Sequence, residues 1–326
     1  RHSMDAKKIL IRSYQDSDVT SLIKCWNESL PYDTIGTQVF IRKVLCDGNF
    51  NPEGLLVAAG PDTKIVGFVL AIVRRTPIFG TDLEPTNGWI TAFAVRPQWR
   101  RQGIGRALFE AAEGFFRTHS REEISFSPYG PNYFVPGIDA EHYPEGAAFL
   151  RAMGFERVYS CVAMDISIPL FTIPDDVRAT VLQRENEGYR FEALSPRYVV
   201  GTISLAHALN AEWGSAVRQA LAQGIPFDRF LVAIDPNDRV VGFCMFGAYD
   251  HSPDRFGPFG VIDSQRGKGL GKVLLYLCLD AMRAHGLHDA WFLWTGENSP
   301  AGHLYKRAGF GVTRRFTIMK KVLAQH

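Results

Sequence analysis

The sequence is poor in cysteine and lacks the residue spacings that hold metals. Its 326 residues include 5 cysteines, which are widely separated, and no two of them have Cys-x-x-Cys spacing. This usage excludes a disulfide framework and a zinc finger, and it indicates a reducing compartment. The histidines show neither His-x-x-x-His nor His-x-His spacing, so we expect no metal site.

The chain also lacks a long apolar run and an excess of one charge. The sequence has no run of about 18 apolar residues, so it predicts no membrane-spanning helix. Its 36 basic and 34 acidic residues leave a net charge of +2. This balance argues against a surface that follows nucleic acid or anionic lipid. No apolar signal region is present, and Arg1-His2-Ser3 before Met4 is typical of an expression remnant. We expect a cytoplasmic protein, monomeric or homodimeric, without nucleic-acid or membrane partners.

What the sequence does contain is one internal repeat. An apolar hairpin, an apolar strand, a glycine-rich turn and a closing Gly-Phe follow one another in the same order in both halves. Domains usually hold about 100–200 residues, so the length also predicts two of them. The first copy is expected to span 4–168 and the second 170–326.

The apolar periodicity predicts a mixed α/β sheet in each copy. Apolar residues at helical spacing predict amphipathic helices over Ile104–Thr118 and Leu270–His285. A further helix is predicted over Gln38–Leu45, and Pro174–Leu194 is expected to hold a helix and the first strand of copy two. Strands adjoin as hairpins early in each copy and are separated by helices late, which is typical of a twisted sheet flanked by helices.

Each copy places an Arg-x-x-Gly-x-Gly turn between a strand and a helix, at Arg100–Gly105 and Arg266–Gly271. Glycine lets the backbone approach a ligand, and the start of the following helix offers unpaired N–H groups. Leu108 and Lys272 stand where a dinucleotide fingerprint needs its third glycine, so that motif is excluded. A tight turn with solvated arginines is the alternative, but repetition in both copies favours an anion site with room for a pyrophosphate.

Strand, Arg-x-x-Gly-x-Gly turn, helix, strand and a short helix ending in Gly-Phe together resemble the GNAT superfamily of acyl-CoA-dependent N-acyltransferases. Both copies match, as in a tandem GNAT protein. The resemblance implies two tandem α/β domains with mostly antiparallel sheets, acetyl-CoA as donor and no metal. It also implies cofactor contacts along the strand and the turn. In the first copy these are Phe93, Ala94, Val95, Arg100, Arg101, Gln102, Gly103, Ile104, Gly105 and Arg106; in the second they are Phe259, Gly260, Val261, Arg266, Gly267, Lys268, Gly269, Leu270, Gly271, Lys272 and Asn298.

The resemblance further implies a catalytic tyrosine. Tyr305 lies on the short helix where the family places its general acid, and its reference pKa near ~10 keeps the phenol protonated at neutral pH. Alignment on Gly-Phe puts Leu150 opposite it in the first copy, which predicts that copy one is degenerate unless Tyr133 or Tyr143 replaces the lost hydroxyl. The general base stays open among Glu212, Asp250, His251, Glu297 and His303.

We therefore expect an N-acetyltransferase that moves an acetyl group directly from acetyl-CoA to a primary amine of a small molecule or a peptide. A non-catalytic acyl-CoA-binding sensor or scaffold is the alternative from another class. A peptidoglycan-type aminoacyl transferase is a second alternative, although its aminoacyl-tRNA donor would need no pyrophosphate turn. Release of free CoA thiol would separate the enzyme from the sensor.

Overall fold

A computed structural model describes residues 8–324. The chain forms two compact units. Unit 1 holds the stretches up to Pro77, from Asp82 to Cys161 and from Arg315 onward, and unit 2 holds Ile78–Thr81 and Val162–Arg314. The segment from Arg315 onward, assigned to copy two on sequence, thus clusters with unit 1. The predicted outer bounds at 4 and 326, and the remnant at 1–3, lie outside the described residues.

The regular elements follow the chain order of a repeated α/β pattern. The strands are β1 (Leu10–Ser13), β2 (Leu55–Ala59), β3 (Ile65–Ile72), β4 (Asn87–Val95), β5 (Glu123–Phe126), β6 (Glu156–Ser167), β7 (Arg190–Ala193), β8 (Phe230–Ile234), β9 (Val240–Phe246), β10 (Phe256–Val261), β11 (Asp289–Thr295) and β12 (Gly311–Val322). The α-helices are α1 (Val19–Ser29), α2 (Thr37–Phe40), α3 (Ile104–Thr118), α4 (Pro144–Ala152), α5 (Asp175–Asn186), α6 (Val199–Leu209), α7 (Ala211–Ala222), α8 (Leu270–Ala284) and α9 (Pro300–Ala308).

Unit 1 is a twisted sheet with strand order β1-β2-β3-β4-β5, followed by the end of β12. All neighbours are antiparallel except β4 and β5, which run parallel over four residue pairs. β2 and β3 are apolar throughout because both of their faces are buried. α3 buries Leu108, Phe109 and Phe116 against one face, and α1 packs Leu22 and Trp26 against the other.

Unit 2 repeats this plan. β7, β8, β9 and β10 form an antiparallel sheet, and β11 pairs with the end of β6. α8 supplies one apolar face with Leu274, Leu275 and Leu279, in a core that also includes Tyr305. α6 and α7 cover the opposite face of the sheet. None of the helices between residues 8 and 324 combines the length and hydropathy that a membrane span requires.

The structure confirms the expected α/β class and differs from the prediction in detail. The helix predicted over 38–45 is α2 followed by a π-helical turn at Ile41–Leu45. The predicted helix and strand within 174–194 are α5 and β7. Neither α6 nor α7 was predicted individually. The α6 sequence lacks the polar face that marks an amphipathic helix.

Candidate active site

One edge of β10 in unit 2 faces away from its neighbour β9. Ile262 donates its N–H to the Val241 carbonyl at 2.9 Å, which fixes the register of the ladder. In an antiparallel pair only every second residue bonds across, so the N–H groups of Phe259 and Val261 point to the other side. These two N–H groups can therefore donate hydrogen bonds to a ligand that binds along that edge.

β11 leaves the same edge of β10 open. The two strands meet at one parallel bridge, between Arg255 and Trp291, and no other bridge joins them within residues 8–324. The separation coincides with a bulge in β10 between Phe256 and Phe259. Bulges bend a strand and re-aim its groups, often next to active sites. The result is a V-shaped opening with backbone donors along one wall.

The turn after β10 has the form of an anion site. Gly267 and Gly269 take left-handed φ values of +85° and +75°, and Gly269 caps α8. A Cβ atom at Gly267 would meet nothing within 4 Å, so the turn has free space beside it. The first N–H groups of α8 have no acceptor inside the helix and carry the positive end of its dipole. The turn therefore offers the free space and the N–H donors that a phosphate group requires.

The cations of this turn all have partners near the surface. Arg266 pairs with Asp263 at 2.8 Å, and both side chains are about 80% exposed. Lys272 pairs with Asp176 at 2.8 Å and lowers the pKa of that carboxyl. Lys268 donates to the hydroxyl of a neighbouring tyrosine, Tyr189, at 2.8 Å. Such solvent-exposed contacts are weak, so an incoming pyrophosphate could replace them.

Tyr305 lies against the open edge of β10. α9 begins with Ser299 as its cap, whose hydroxyl accepts the Gly302 N–H at 3.1 Å. One and a half turns later the Tyr305 ring packs 5.8 Å from the ring of Phe259 and 4.4 Å from that of Phe292. Phe259 belongs to the open wall and Phe292 to β11. The helix thus places the phenol at the point where the two strands separate.

The environment keeps Tyr305 protonated. The side chain is buried, with 7% exposure, and burial, followed by the nearby Cys244 and Cys278 thiols, raises the pKa of the phenol well above its usual value. Among the hydrogen bonds within residues 8–324, none involves its hydroxyl. A protonated hydroxyl without a protein partner is suited to donate to a ligand atom.

The residues predicted for the second copy fall on three neighbouring segments. The strand, the turn and the loop before α9 hold, in that order, Phe259, Gly260 and Val261; Arg266, Gly267, Lys268, Gly269, Leu270, Gly271 and Lys272; and Asn298, which is exposed. Among the base candidates, Asp250 pairs with Arg255 at 2.7 Å, Glu297 pairs with Lys306 at 3.0 Å, and Glu212 follows the cap of α7. His251 and His303 are exposed. None of these contacts singles out a base.

Unit 1 repeats the open strand edge. Arg96 donates its N–H to the Val66 carbonyl at 2.8 Å, so the N–H groups of Phe93 and Val95 point away from β3. β5 pairs with β4 only as far as Ile90 and Phe126. Thr91 is the extra residue of a bulge, as in β10. The predicted strand residues Phe93, Ala94 and Val95 thus border an opening like that of unit 2.

The turn of unit 1 has the same backbone but a different side-chain environment. Arg101 and Gly103 take φ values of +63° and +84°. Arg100 donates to the Val95 carbonyl at 2.9 Å and pairs with Glu145 at 3.1 Å, so its guanidinium lies along the open edge, whereas Arg266 is in solvent. The other predicted residues, Gln102, Ile104, Gly105 and Arg106, complete the turn and begin α3.

Leu150 occupies the place of Tyr305 in unit 1. The Phe155 N–H donates to the Leu150 carbonyl at 3.0 Å, and the Phe310 N–H donates to the Tyr305 carbonyl at 3.0 Å. The two closing turns therefore share this hydrogen bond, which puts Leu150 and Tyr305 at equivalent positions. Of the predicted replacements, Tyr143 caps α4 and donates to Asp33 at 2.8 Å, while the Tyr133 carbonyl accepts from Lys43.

Comparison with known proteins decides the family. The model of the Acetyltransferase (GNAT) family matches residues 13–128 and again residues 181–310. The chain belongs to this family. Because each unit carries its own match, it is a tandem GNAT protein, and an acyltransferase.

Several known proteins are similar to this chain over two thirds of its length or more. A mycothiol acetyltransferase of Arthrobacter sp. (strain FB24) is 26% identical over 90% of this chain and 88% of its own length. A second, from Actinosynnema mirum, is 29% identical over 68% and 71%. The solved tandem GNAT protein from the clavulanic acid biosynthesis pathway is 17% identical, with a TM-score of 0.65 over 98% of this chain and 99% of that one. A GCN5-related N-acetyltransferase from Sphaerobacter thermophilus is 16% identical, with a TM-score of 0.70 over 97% and 96%.

Proposed function

We propose that unit 2 moves an acetyl group from acetyl-CoA directly to a primary amine of a small molecule, with Tyr305 as general acid. The turn at Arg266–Gly271 and the open edge of β10 would hold the donor, which supplies the activated acetyl thioester. The proposal rests above all on Tyr305, a buried and protonated phenol that packs against Phe259 and Phe292, at the separation of β10 and β11.

Each step of the transfer except the removal of the amine proton has an assigned group in unit 2. The amides that open α8 and Arg266 bind the pyrophosphate. The outward N–H groups of Phe259 and Val261 hold the thioester carbonyl and the negative charge that develops on it, a contribution worth about 3–4 kcal/mol per donor in other enzymes. The amine nitrogen bonds to the acetyl carbon, the carbon–sulfur bond breaks, and Tyr305 donates its proton to the departing thiolate. The amine proton passes to a base or to water.

A small-molecule acceptor is supported by the relatives. The two bacterial relatives are named mycothiol acetyltransferases, and their matches run through both units of this chain. An amine related to mycothiol is therefore the first acceptor to test. At 26–29% identity other small amines and a peptide amine belong in the same panel.

The test is Tyr305→Phe, which removes one hydroxyl and keeps the ring. We expect kcat for CoA release to fall by about 10²-fold or more, with the dissociation constant of CoA unchanged. Tyr276→Phe is the matched control, because Tyr276 is a second buried tyrosine of the same core. Its ring packs against Phe171 and, within residues 8–324, not against Phe259 or Phe292. This variant should keep kcat within twofold.

The outcome also separates the enzyme from the sensor. A loss smaller than threefold in Tyr305→Phe would remove the proposed acid. Tight CoA binding by the wild-type protein without thiol release from acetyl-CoA, across the whole amine panel, would favour the non-catalytic acyl-CoA sensor.

A further inference from the structure

A buried hydroxyl in unit 1 has no partner. Thr91 is 2% exposed, and its Oγ1 makes no hydrogen bond within residues 8–324. It sits in the bulge of β4, directly after Ile90, the last residue that pairs with β5. Buried hydroxyls are nearly always hydrogen-bonded in native proteins, so this one calls for a ligand or water. The same bulge in β10 holds Gly257 and Pro258, which offer no side-chain donor.

A second feature of unit 1 is a carboxylate–imidazole pair just before α4. Asp139 is 2% exposed, and its Oδ2 lies 2.7 Å from His142 Nδ1. Its Oδ1 also accepts the backbone N–H of His142 at 3.1 Å. A carboxylate on Nδ1 fixes the tautomer and leaves Nε2 to accept a proton. This is the arrangement in which a carboxylate orients a catalytic histidine.

The imidazole is held from its other side by the segment after α1. The Tyr32 ring packs 4.3 Å from the His142 ring, and the Tyr32 N–H donates to the Tyr143 hydroxyl at 3.1 Å. Tyr143 in turn donates to Asp33 at 2.8 Å. Because the hydroxyl proton of Tyr143 is already given to a carboxylate, His142 is the better proton carrier in this cluster.

The helix that follows the pair, α4, packs against β4. A Cβ atom on Gly146, in the first turn of α4, would be 3.7 Å from Tyr143 Cβ and 4.0 Å from the ring of Phe93. Phe93 carries an outward N–H, and Thr91 lies two residues earlier, about 7 Å along the strand. The unpartnered hydroxyl and the outward amide therefore lie on the strand against which α4 packs, and His142 stands two residues before that helix.

We propose that unit 1 holds a second acyl-transfer centre, built on Thr91 and His142 and not on a tyrosine. It rests on the proposed function in that its donor is also acetyl-CoA. The Thr91 hydroxyl and the Phe93 N–H receive the thioester carbonyl, and His142 Nε2 takes a proton from a primary amine. The amine nitrogen bonds to the acetyl carbon, the carbon–sulfur bond breaks, and the imidazolium returns its proton to the thiolate. Leu150 then needs no replacement, because one histidine both accepts and donates the proton.

The test uses the full-length Tyr305→Phe protein, in which unit 2 is disabled. CoA release from acetyl-CoA is measured with three acceptors, namely glucosamine, spermidine and a dipeptide with a free amino group. The acetylated products are identified by mass spectrometry. We expect turnover above the protein-free rate. Adding Thr91→Val or His142→Ala should lower it at least 10-fold. Free imidazole should restore CoA release by the His142→Ala protein and leave the rate of the Thr91→Val protein unchanged. His119→Ala, at the end of α3, is the control and should have no effect.

Asp139 is a positioning residue in this scheme, so its substitution has a different signature. Asp139→Asn keeps the shape but offers an amide to the imidazole, and we expect a lower kcat with an unchanged KM for acetyl-CoA. Addition of CoA should also shift the His142 imidazole signals in the NMR spectrum, which are identified by their loss in His142→Ala.

The outcomes separate the two centres. Wild-type turnover that disappears in Tyr305→Phe overturns the second centre and leaves unit 2 intact. Turnover that survives Tyr305→Phe unchanged but is lost in His142→Ala overturns the role of Tyr305 and supports the second centre. Absence of turnover in every protein, with no effect of CoA on His142, overturns both.

Discussion

At the scale of single residues, two glycines of α3 show how backbone conformation determines whether an added Cβ atom stabilises or destabilises the fold. A Cβ atom at Gly103 or at Gly114 would meet nothing within 4 Å, so neither position is crowded. Gly103 caps the helix with a φ of +84°, whereas Gly114 lies in its interior. The left-handed conformation costs an L-residue about 1–2 kcal/mol, while an interior helix glycine costs about 1 kcal/mol relative to alanine.

We predict opposite effects for the same substitution in this helix. Gly103→Ala should lower the free energy of unfolding by roughly 1 kcal/mol, and Gly114→Ala should raise it by roughly 0.5–1 kcal/mol. Urea unfolding followed by tryptophan fluorescence measures both. Equal shifts in the two variants would show that the turn before α3 does not hold the left-handed conformation.

At the scale of elements, the two turns share a backbone and differ in what their first arginine does. Arg100 bonds to the Val95 carbonyl and to Glu145, at the start of α4; Arg266 does neither. The Glu145 side chain is 77% exposed and that of Arg100 is 34% exposed, so their ion pair contributes little to stability. It does place a competing carboxylate where unit 1 would hold a phosphate.

Removing that carboxylate should strengthen CoA binding in unit 1. We expect Glu145→Gln to tighten the weaker of two CoA affinities about 2–5-fold, the equivalent of the 0.5–1 kcal/mol of a surface pair, with an unchanged melting temperature. Isothermal titration calorimetry measures the affinities, and Glu110→Gln, on the exposed face of α3, is the control. An unchanged or weaker affinity would contradict this role for Arg100.

The elements also show what sequence could and could not foretell. The two glycine-rich turns could be predicted from sequence, because a glycine at a left-handed position followed by an amphipathic helix gives a recognisable pattern over neighbouring residues. Leu150 opposite Tyr305 followed from the repeat. The bond of Arg100 to Val95, the pair of Asp139 with His142 and the unpartnered Thr91 hydroxyl did not. The Asp139–His142 pair depends on how the loop 127–143 folds. That loop has no apolar period to follow, and an Asp-x-x-His spacing before α4 was its only signal.

At the scale of the whole molecule, each unit buries thiols and phenols in an apolar core. Burial raises the pKa of Cys25 to about 11 and that of Cys161 to about 12, and it raises the pKa of Cys244 and Tyr305 as well. In an unfolded chain a thiol titrates near ~8.5 and a phenol near ~10. The folded protein therefore holds these protons more tightly than the unfolded chain does.

This difference fixes the sign of the alkaline response. Because the folded pKa values are raised, the stability that these groups contribute is fully present below about pH 8.5 and is lost as the pH rises toward the folded values. We expect the urea midpoint to fall between pH 8 and pH 10.5, with each buried thiol removing roughly 1–3 kcal/mol of unfolding free energy. Cys161→Ala should make this decline shallower, and comparing slopes removes the constant cost of the smaller side chain.

Cys46→Ser, at an exposed thiol, is the control and should leave the slope unchanged. A slope in Cys161→Ala equal to that of the wild-type protein would show that the buried thiols do not set the alkaline limit.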